Sequence, residues 1–125
     1  MKKLLFYLLF ACASSLLFAQ KANNIHKTGL YKYKDPNFDG FYIKRTKNKQ
    51  VEYNKAKKFK IVLTVKWSSD TEYILTMKND KGNVGCLKKG DAVEVFITES
   101  DTHNYTCSYT TLNCGSGTTS FLKVK

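Results

Sequence analysis

The sequence predicts an all-β domain, an antiparallel meander of about eight or nine strands closed into a small barrel. Three observations point there. Short runs alternate apolar and polar residues with the period of two that a half-buried strand requires. Glycine, asparagine, aspartate and serine cluster between these runs, where turns need them, and no convincing helical pattern breaks the series. A single proline, Pro36, and the lack of any low-complexity linker leave nothing to mark a domain boundary. Closure into a barrel is favoured because it removes exposed strand edges, with a β-sandwich as the alternative.

Leu30 to Lys34 reads as the first strand, ended by the turn-forming 35–40. Phe41 to Thr46 follows, with Phe41 and Ile43 on one face and Tyr42 and Lys44 on the other. In Gln50 to Asn54, Val51 and Tyr53 alternate with Gln50 and Glu52. The longest run is Phe59 to Trp67, where Phe59, Ile61, Leu63, Val65 and Trp67 share a face. At about 3.4 Å per residue it spans roughly 30 Å, the height of a small barrel. Ser68-Ser69-Asp70 turns it into a partner carrying Tyr73, Leu75 and Met77 on the inner face, with Ile74 as an apolar exception. A short strand is expected around Val84 to Leu87. Val93, Val95 and Ile97 then alternate with Glu94, Tyr105, Cys107 and Tyr109 share the next inner face, and Thr119 to Lys125 closes the series. The whole is a lipocalin-like plan.

The first residues, MKKLLFYLLFACASSLLFAQ, carry two lysines and then no charge from Leu4 to Ala19. That is the layout of a secretory signal peptide at 1–19, too short to span a bilayer, leaving a single domain over 20–125. The expected location is periplasmic or secreted; the alternative is a lipoprotein anchored at Cys12, since Leu9-Phe10-Ala11-Cys12 resembles a lipoprotein cleavage box. An oxidising compartment lets Cys86, Cys107 and Cys114 form a disulfide. A chain reversal at Thr110-Thr111 would set Cys107 opposite Cys114 at a bridgeable distance, and this is the favoured pair, with Cys86 open to either partner.

The chain has 21 basic and 10 acidic side chains, a net charge of +11. Residues 21–60 hold 12 basic against 3 acidic, whereas 61–125 hold 7 of each. Such asymmetry suits a polyanion or an anionic surface. The candidates are Lys44, Arg45, Lys47, Lys49, Lys55, Lys57, Lys58 and Lys60. Arg45 is the only arginine, although arginine is the residue best shaped for bidentate phosphate recognition. Tyr31, Tyr33, Phe41, Tyr42, Tyr53 and Phe59 interleave with this half as on a stacking platform, but export makes nucleic acid the least expected partner.

Nothing points to catalysis. The two histidines, His26 and His103, lie in polar segments and are expected to be exposed. No nucleophile stands at a spacing that promises a base and an orienting group. Asp91 with Glu94 and Glu99 with Asp101 read as turn formers, and no cysteine or histidine pair has zinc-site spacing. Gly82-Asn83-Val84-Gly85 and Cys114-Gly115-Ser116-Gly117 lack the strand and helix context of a phosphate cradle and read as hairpin loops. No metal or cofactor is expected.

Lys27-Thr28-Gly29, Ile43-Lys44-Arg45, Gln50-Val51-Glu52-Tyr53, Lys66-Trp67-Ser68-Ser69-Asp70 with Glu72-Tyr73-Ile74-Leu75-Thr76, and Lys89-Gly90-Asp91 together resemble a family of small exported proteins of flavobacterium-like bacteria. The resemblance spans about residues 26–98. It implies a short all-β domain, often a lipoprotein, without an established activity; some members bear names transferred from DNA topoisomerase, which nothing in this chain supports. Members commonly carry a cysteine between the aspartate and glutamate after the tryptophan and another before the first strand. Here Thr71 stands at the former and no cysteine lies near His26, so the bridge those two would form is lost.

The expectation is therefore an exported binding module acting without catalysis. Its ligand would be a small apolar or amphipathic molecule held inside the barrel by Phe59, Ile61, Leu63, Val65 and Trp67. The alternative is an adaptor that meets acidic envelope glycans or lipid phosphates through the basic set.

Overall fold

Alternation along the chain becomes closure in space. The computed structural model describes residues 26–79 and 85–125; the leader expected at 1–19, Cys12 and Val84 lie outside the described residues. Eight strands form one closed antiparallel barrel: β1 (Gly29–Tyr33), β2 (Tyr42–Arg45), β3 (Lys49–Asn54), β4 (Phe59–Trp67), β5 (Glu72–Asn79), β6 (Ala92–Ser100), β7 (Asn104–Thr111) and β8 (Ser116–Lys123). Each strand pairs with the next, and β1 pairs with β8 through Tyr31↔Lys123, Lys32↔Leu122 and Tyr33↔Phe121, so no edge remains open.

The inward face follows the predicted alternation on β4 through β7. Ile61, Leu63, Val65, Tyr73, Leu75, Met77, Val93, Val95, Ile97, Tyr105 and Cys107 are all buried, joined by Tyr31, Ile43 and Phe121. Ile74 points outward, as its place in the alternation requires.

On β3 it is the polar half of the alternation that turns inward. Ile43 and Arg45 stand opposite Glu52 and Gln50, while Ile61, Leu63 and Phe59 stand opposite Glu52, Gln50 and Asn54. Opposed residues share a face, and both neighbours turn these positions inward, so Gln50, Glu52 and Asn54 enter the barrel and Val51 and Tyr53 face solvent. Gln50 and Asn54 keep only 3% and 4% of their surface.

Three further differences concern the loops. Gly85–Leu87 forms no strand. Strand β8 begins at Ser116, because the β7–β8 ladder runs through Thr110↔Ser116 and Thr111 N–H donates to the Gly115 carbonyl at 3.0 Å. The chain thus reverses at 112–115, beyond Thr110-Thr111, and Cys107 faces Thr119. The expected Cys107–Cys114 bridge is therefore replaced by Cys86–Cys114, with Cα atoms 5.6 Å apart, and Cys107 is a free buried thiol.

The connections sort into two ends. One end gathers the turns at 46–48, 68–71 and 101–103 and is plugged by His26, which is fully buried and not exposed as its polar context suggests. His26 Nε2 meets the Asp101 carbonyl at 2.7 Å. The tail seals the same end, with Leu30 N–H donating to the Lys125 carbonyl and Val124 N–H to the Leu30 carbonyl. The opposite end carries the β1–β2 connection, with its short 3-10 turn Pro36–Phe38, and the disulfide that ties the β5–β6 connection to the β7–β8 turn.

A candidate ligand cavity inside the barrel

The lumen is not filled. A cavity of about 360 Å³ lies within it, walled by Ile43, Leu63, Leu75, Val93, Val95 and Phe121. That volume is at the small end of ligand sites, which run from roughly 300 to 1,000 Å³. Phe38 and Leu87 line its outer end; Phe38, 46% exposed, packs on Tyr33 with ring centroids 5.0 Å apart. The disulfide fixes the residue beside Leu87, so this staple also holds part of the rim.

Tyr73 forms part of the cavity's lining, and Arg45 lies behind it. Arg45 is 2% exposed, and its donors are met one by one. Nε donates to Gln50 Oε1 at 2.8 Å and Nη1 to the His26 carbonyl at 2.8 Å. Nη2 donates to the hydroxyls of Tyr105 at 2.7 Å and Tyr73 at 3.3 Å. The rings of Tyr31, Tyr73 and Tyr105 surround the guanidinium at 5.0, 4.9 and 5.6 Å. No carboxylate among the described residues comes within ion-pairing distance of it. Hydrogen bonds and π faces thus stabilise a charge whose burial would otherwise be very costly.

The second polar group faces the cavity. Glu52 accepts a 2.5 Å hydrogen bond from the Tyr33 hydroxyl. Burial pushes the Glu52 carboxyl above its ordinary range, while the Tyr33 hydrogen bond, the Arg45 charge and the Gln50 side chain favour the charged form and limit the rise. Burial likewise raises the Tyr33 hydroxyl, and Glu52 adds to the effect, so the phenol stays protonated and donates. Cys107 also borders the cavity, but burial lifts its thiol to about 11 and leaves it a poor nucleophile.

Of the five residues expected to line a ligand site, Leu63 does so. Ile61 and Val65 are packed core. Phe59 packs edge-on against Phe41 at 5.4 Å. Trp67 lies at the plugged end, its ring 4.5 Å from Tyr73 and beneath Lys27, whose Nζ pairs with Asp70 at 3.0 Å. Glu52 and Gln50 were not foreseen as site residues, and Tyr33 was named only as part of a surface stacking platform. The available signal was the outlying acid of the basic half: Glu52 is the only carboxylate between Asp39 and Asp70.

The basic set divides. Arg45 is sealed inside and takes no part in any surface. Lys44, Lys47, Lys49, Lys55, Lys57, Lys58 and Lys60 are exposed. Lys44, Lys55, Lys58 and Lys60 share a shallow surface concavity with Val51 and Tyr53, while Lys49 groups with Lys66 and Lys78. The aromatic platform divides too: Tyr42 and Tyr53 stack outside at 5.8 Å, whereas Tyr31 is buried and Tyr33 borders the lumen.

Asp101 acts as a turn former, its Oδ1 accepting from the His103 and Asn104 backbone N–H groups. No protein-family model, curated protein or solved structure matches this chain.

Proposed function

We propose that this protein is an exported, non-catalytic binding module that carries a small apolar or amphipathic molecule in a lipocalin-like lumen. The observation that carries this reading is the cavity of about 360 Å³, apolar on most of its wall and polar at Glu52, Gln50 and Tyr33. A barrel of eight strands has room either to be filled by side chains or to hold one small ligand, and this one keeps the space. The Cys86–Cys114 bridge is consistent with an extracellular or periplasmic site of action.

The test is titration with a neutral apolar fluorophore such as N-phenyl-1-naphthylamine. Saturable binding at one site, lost when Leu75→Trp and Val95→Phe fill the lumen, supports the reading. Binding that survives lumen filling, or no binding at all, rejects it.

A second reading is favoured by the charge on the outside of β2, β3 and β4. Lys44, Lys49, Lys60 and Lys66 project there, and the only acid of these strands, Glu52, is turned inside. This face would dock on acidic envelope glycans or lipid phosphates. Retention on an anionic polysaccharide resin should fall steeply between low and physiological salt, and further with Lys44→Glu and Lys60→Glu. Retention indifferent to salt would rule this out.

A further inference from the structure

We infer that the lumen selects an amphiphile bearing a protonated amine, an inference that rests on the lumen being a ligand site. The protein carries a net charge of +11, yet among the described residues the charged groups bordering its cavity are Asp35, exposed at the rim, and Glu52, both acidic. The nearest buried cation, Arg45, is not part of the cavity lining and spends its donors on Gln50, the His26 carbonyl, Tyr73 and Tyr105. Glu52 is therefore the charged group on the inner lining among the described residues, and it is acidic within a basic shell.

Glu52 is built to receive a donor. One carboxylate oxygen accepts from Tyr33, which aims the group and stabilises its charge. A carboxylate has about four lone-pair positions, so acceptor capacity remains toward the cavity. No lysine, arginine or histidine among the described residues lies close enough to form an ion pair with it. The aromatic walls add to the preference, because Tyr33, Phe38, Tyr109 and Phe121 line the same space and present π faces attractive to a cation. An anionic ligand would meet the opposite, with the Glu52 carboxylate beside it and no lysine or arginine among the described lining residues to pair with. Apolar walls at Leu63, Leu75, Val93 and Val95 suit a hydrocarbon tail.

The experiment compares octylamine, octanol and octanoate, which share one tail, on the purified protein at neutral pH by calorimetric titration. Octylammonium is expected to bind about tenfold more tightly than octanol, the scale of one charge-assisted hydrogen bond, with octanoate weakest. In Glu52→Gln the ratio of octylammonium to octanol affinity should fall to about one, a ratio read within the one variant, and a thermal melt of that variant verifies its fold. The comparison on the unaltered protein stands without the variant. Octanoate binding as tightly as octylammonium, or an amine preference that persists in Glu52→Gln, overturns this inference and leaves the lumen reading intact. If none of the three binds, the lumen reading itself fails.

Discussion

Arg45 Nη2 donates to the Tyr105 hydroxyl at 2.7 Å, joining strands three places apart around the barrel. The same nitrogen reaches Tyr73 on β5, also three places from β2. Backbone ladders connect only adjacent strands, so this guanidinium supplies cross-links through the lumen that the sheet does not.

Replacing Arg45 by alanine should therefore cost about 3–5 kcal/mol, because it empties a buried volume and strands Gln50, the His26 carbonyl and two phenols. Arg45→Lys should recover less than half of the loss, since one ammonium cannot reach all four acceptors of the planar fork. Urea unfolding of the three proteins measures this. An alanine variant within about 1 kcal/mol of the parent would show that the cluster is not a keystone.

Gly29 makes the seam between β1 and the tail. Its φ is +135°, and a Cβ there would lie 2.8 Å from the Lys125 carbonyl oxygen and 2.9 Å from Lys123 Cε. Gly29→Ala should lower stability by about 2–3 kcal/mol through backbone strain and contact together. Gly90 provides the control, with φ +92° and nothing within 4 Å of an added Cβ. Gly90→Ala should show the conformational cost alone, about 1–2 kcal/mol. Equal losses at the two sites would refute the steric part.

The barrel was legible because most strands obey their own alternation: Ile61, Leu63 and Val65 on β4 and Tyr73, Leu75 and Met77 on β5 turn inward as their spacing requires. Strand β3 was not, because its own pattern is outweighed by Ile43 on one side and Ile61 and Leu63 on the other. A two-residue preference for Val51 and Tyr53 cannot override two neighbouring registers. The site residues were hidden by the same inversion, since a glutamate between two apolar residues reads as the solvent face. His26 and Arg45 were hidden for a different reason. Their burial depends on each other and on Tyr105, and these groups are far apart in the chain.

The disulfide should contribute more than a short hairpin bridge would. Cys86 and Cys114 are separated by 28 residues, for which the chain-entropy model gives about 3.5 kcal/mol. Cys86→Ser with Cys114→Ser should lower stability by that order. Cys107 gives the complementary reading: buried, with a thiol pushed to about 11, it should resist iodoacetamide in the native protein and react in urea. Native labelling at Cys107, or a peptide linking Cys107 to Cys114, would contradict the assignment.

Two buried groups should give stability opposite pH dependences. Desolvation lowers the His26 pKa from its ordinary 6.5, with the Lys123 and Arg45 charges adding and the Asp101 carbonyl opposing. The unfolded chain then binds more protons in that range, so this contribution is complete above about pH 6.5 and is lost as pH falls through it. Nε2 donates to the Asp101 carbonyl in the neutral ring, leaving Nδ1 without a partner among the described residues and unable to charge without cost. Glu52 is raised above its ordinary 4.5, chiefly by burial. Protonating it favours the fold, so its contribution is complete below about pH 4.5 and is lost as pH rises through the raised value. Asp101, held low by hydrogen bonds from the backbone of His103 and the side chain and backbone of Asn104, adds a loss at the acid end that all variants share. Urea midpoints from pH 4 to 8 should therefore decline below about 6.5 in the parent. His26→Gln, which keeps a donor for the Asp101 carbonyl, should remove the part of that decline that sets in near 6.5 and leave only the acid-end loss from Asp101. Glu52→Gln should steepen the acid-side loss, because the compensating protonation is gone. A His26→Gln profile parallel to the parent's would show that the plug is not the titrating element.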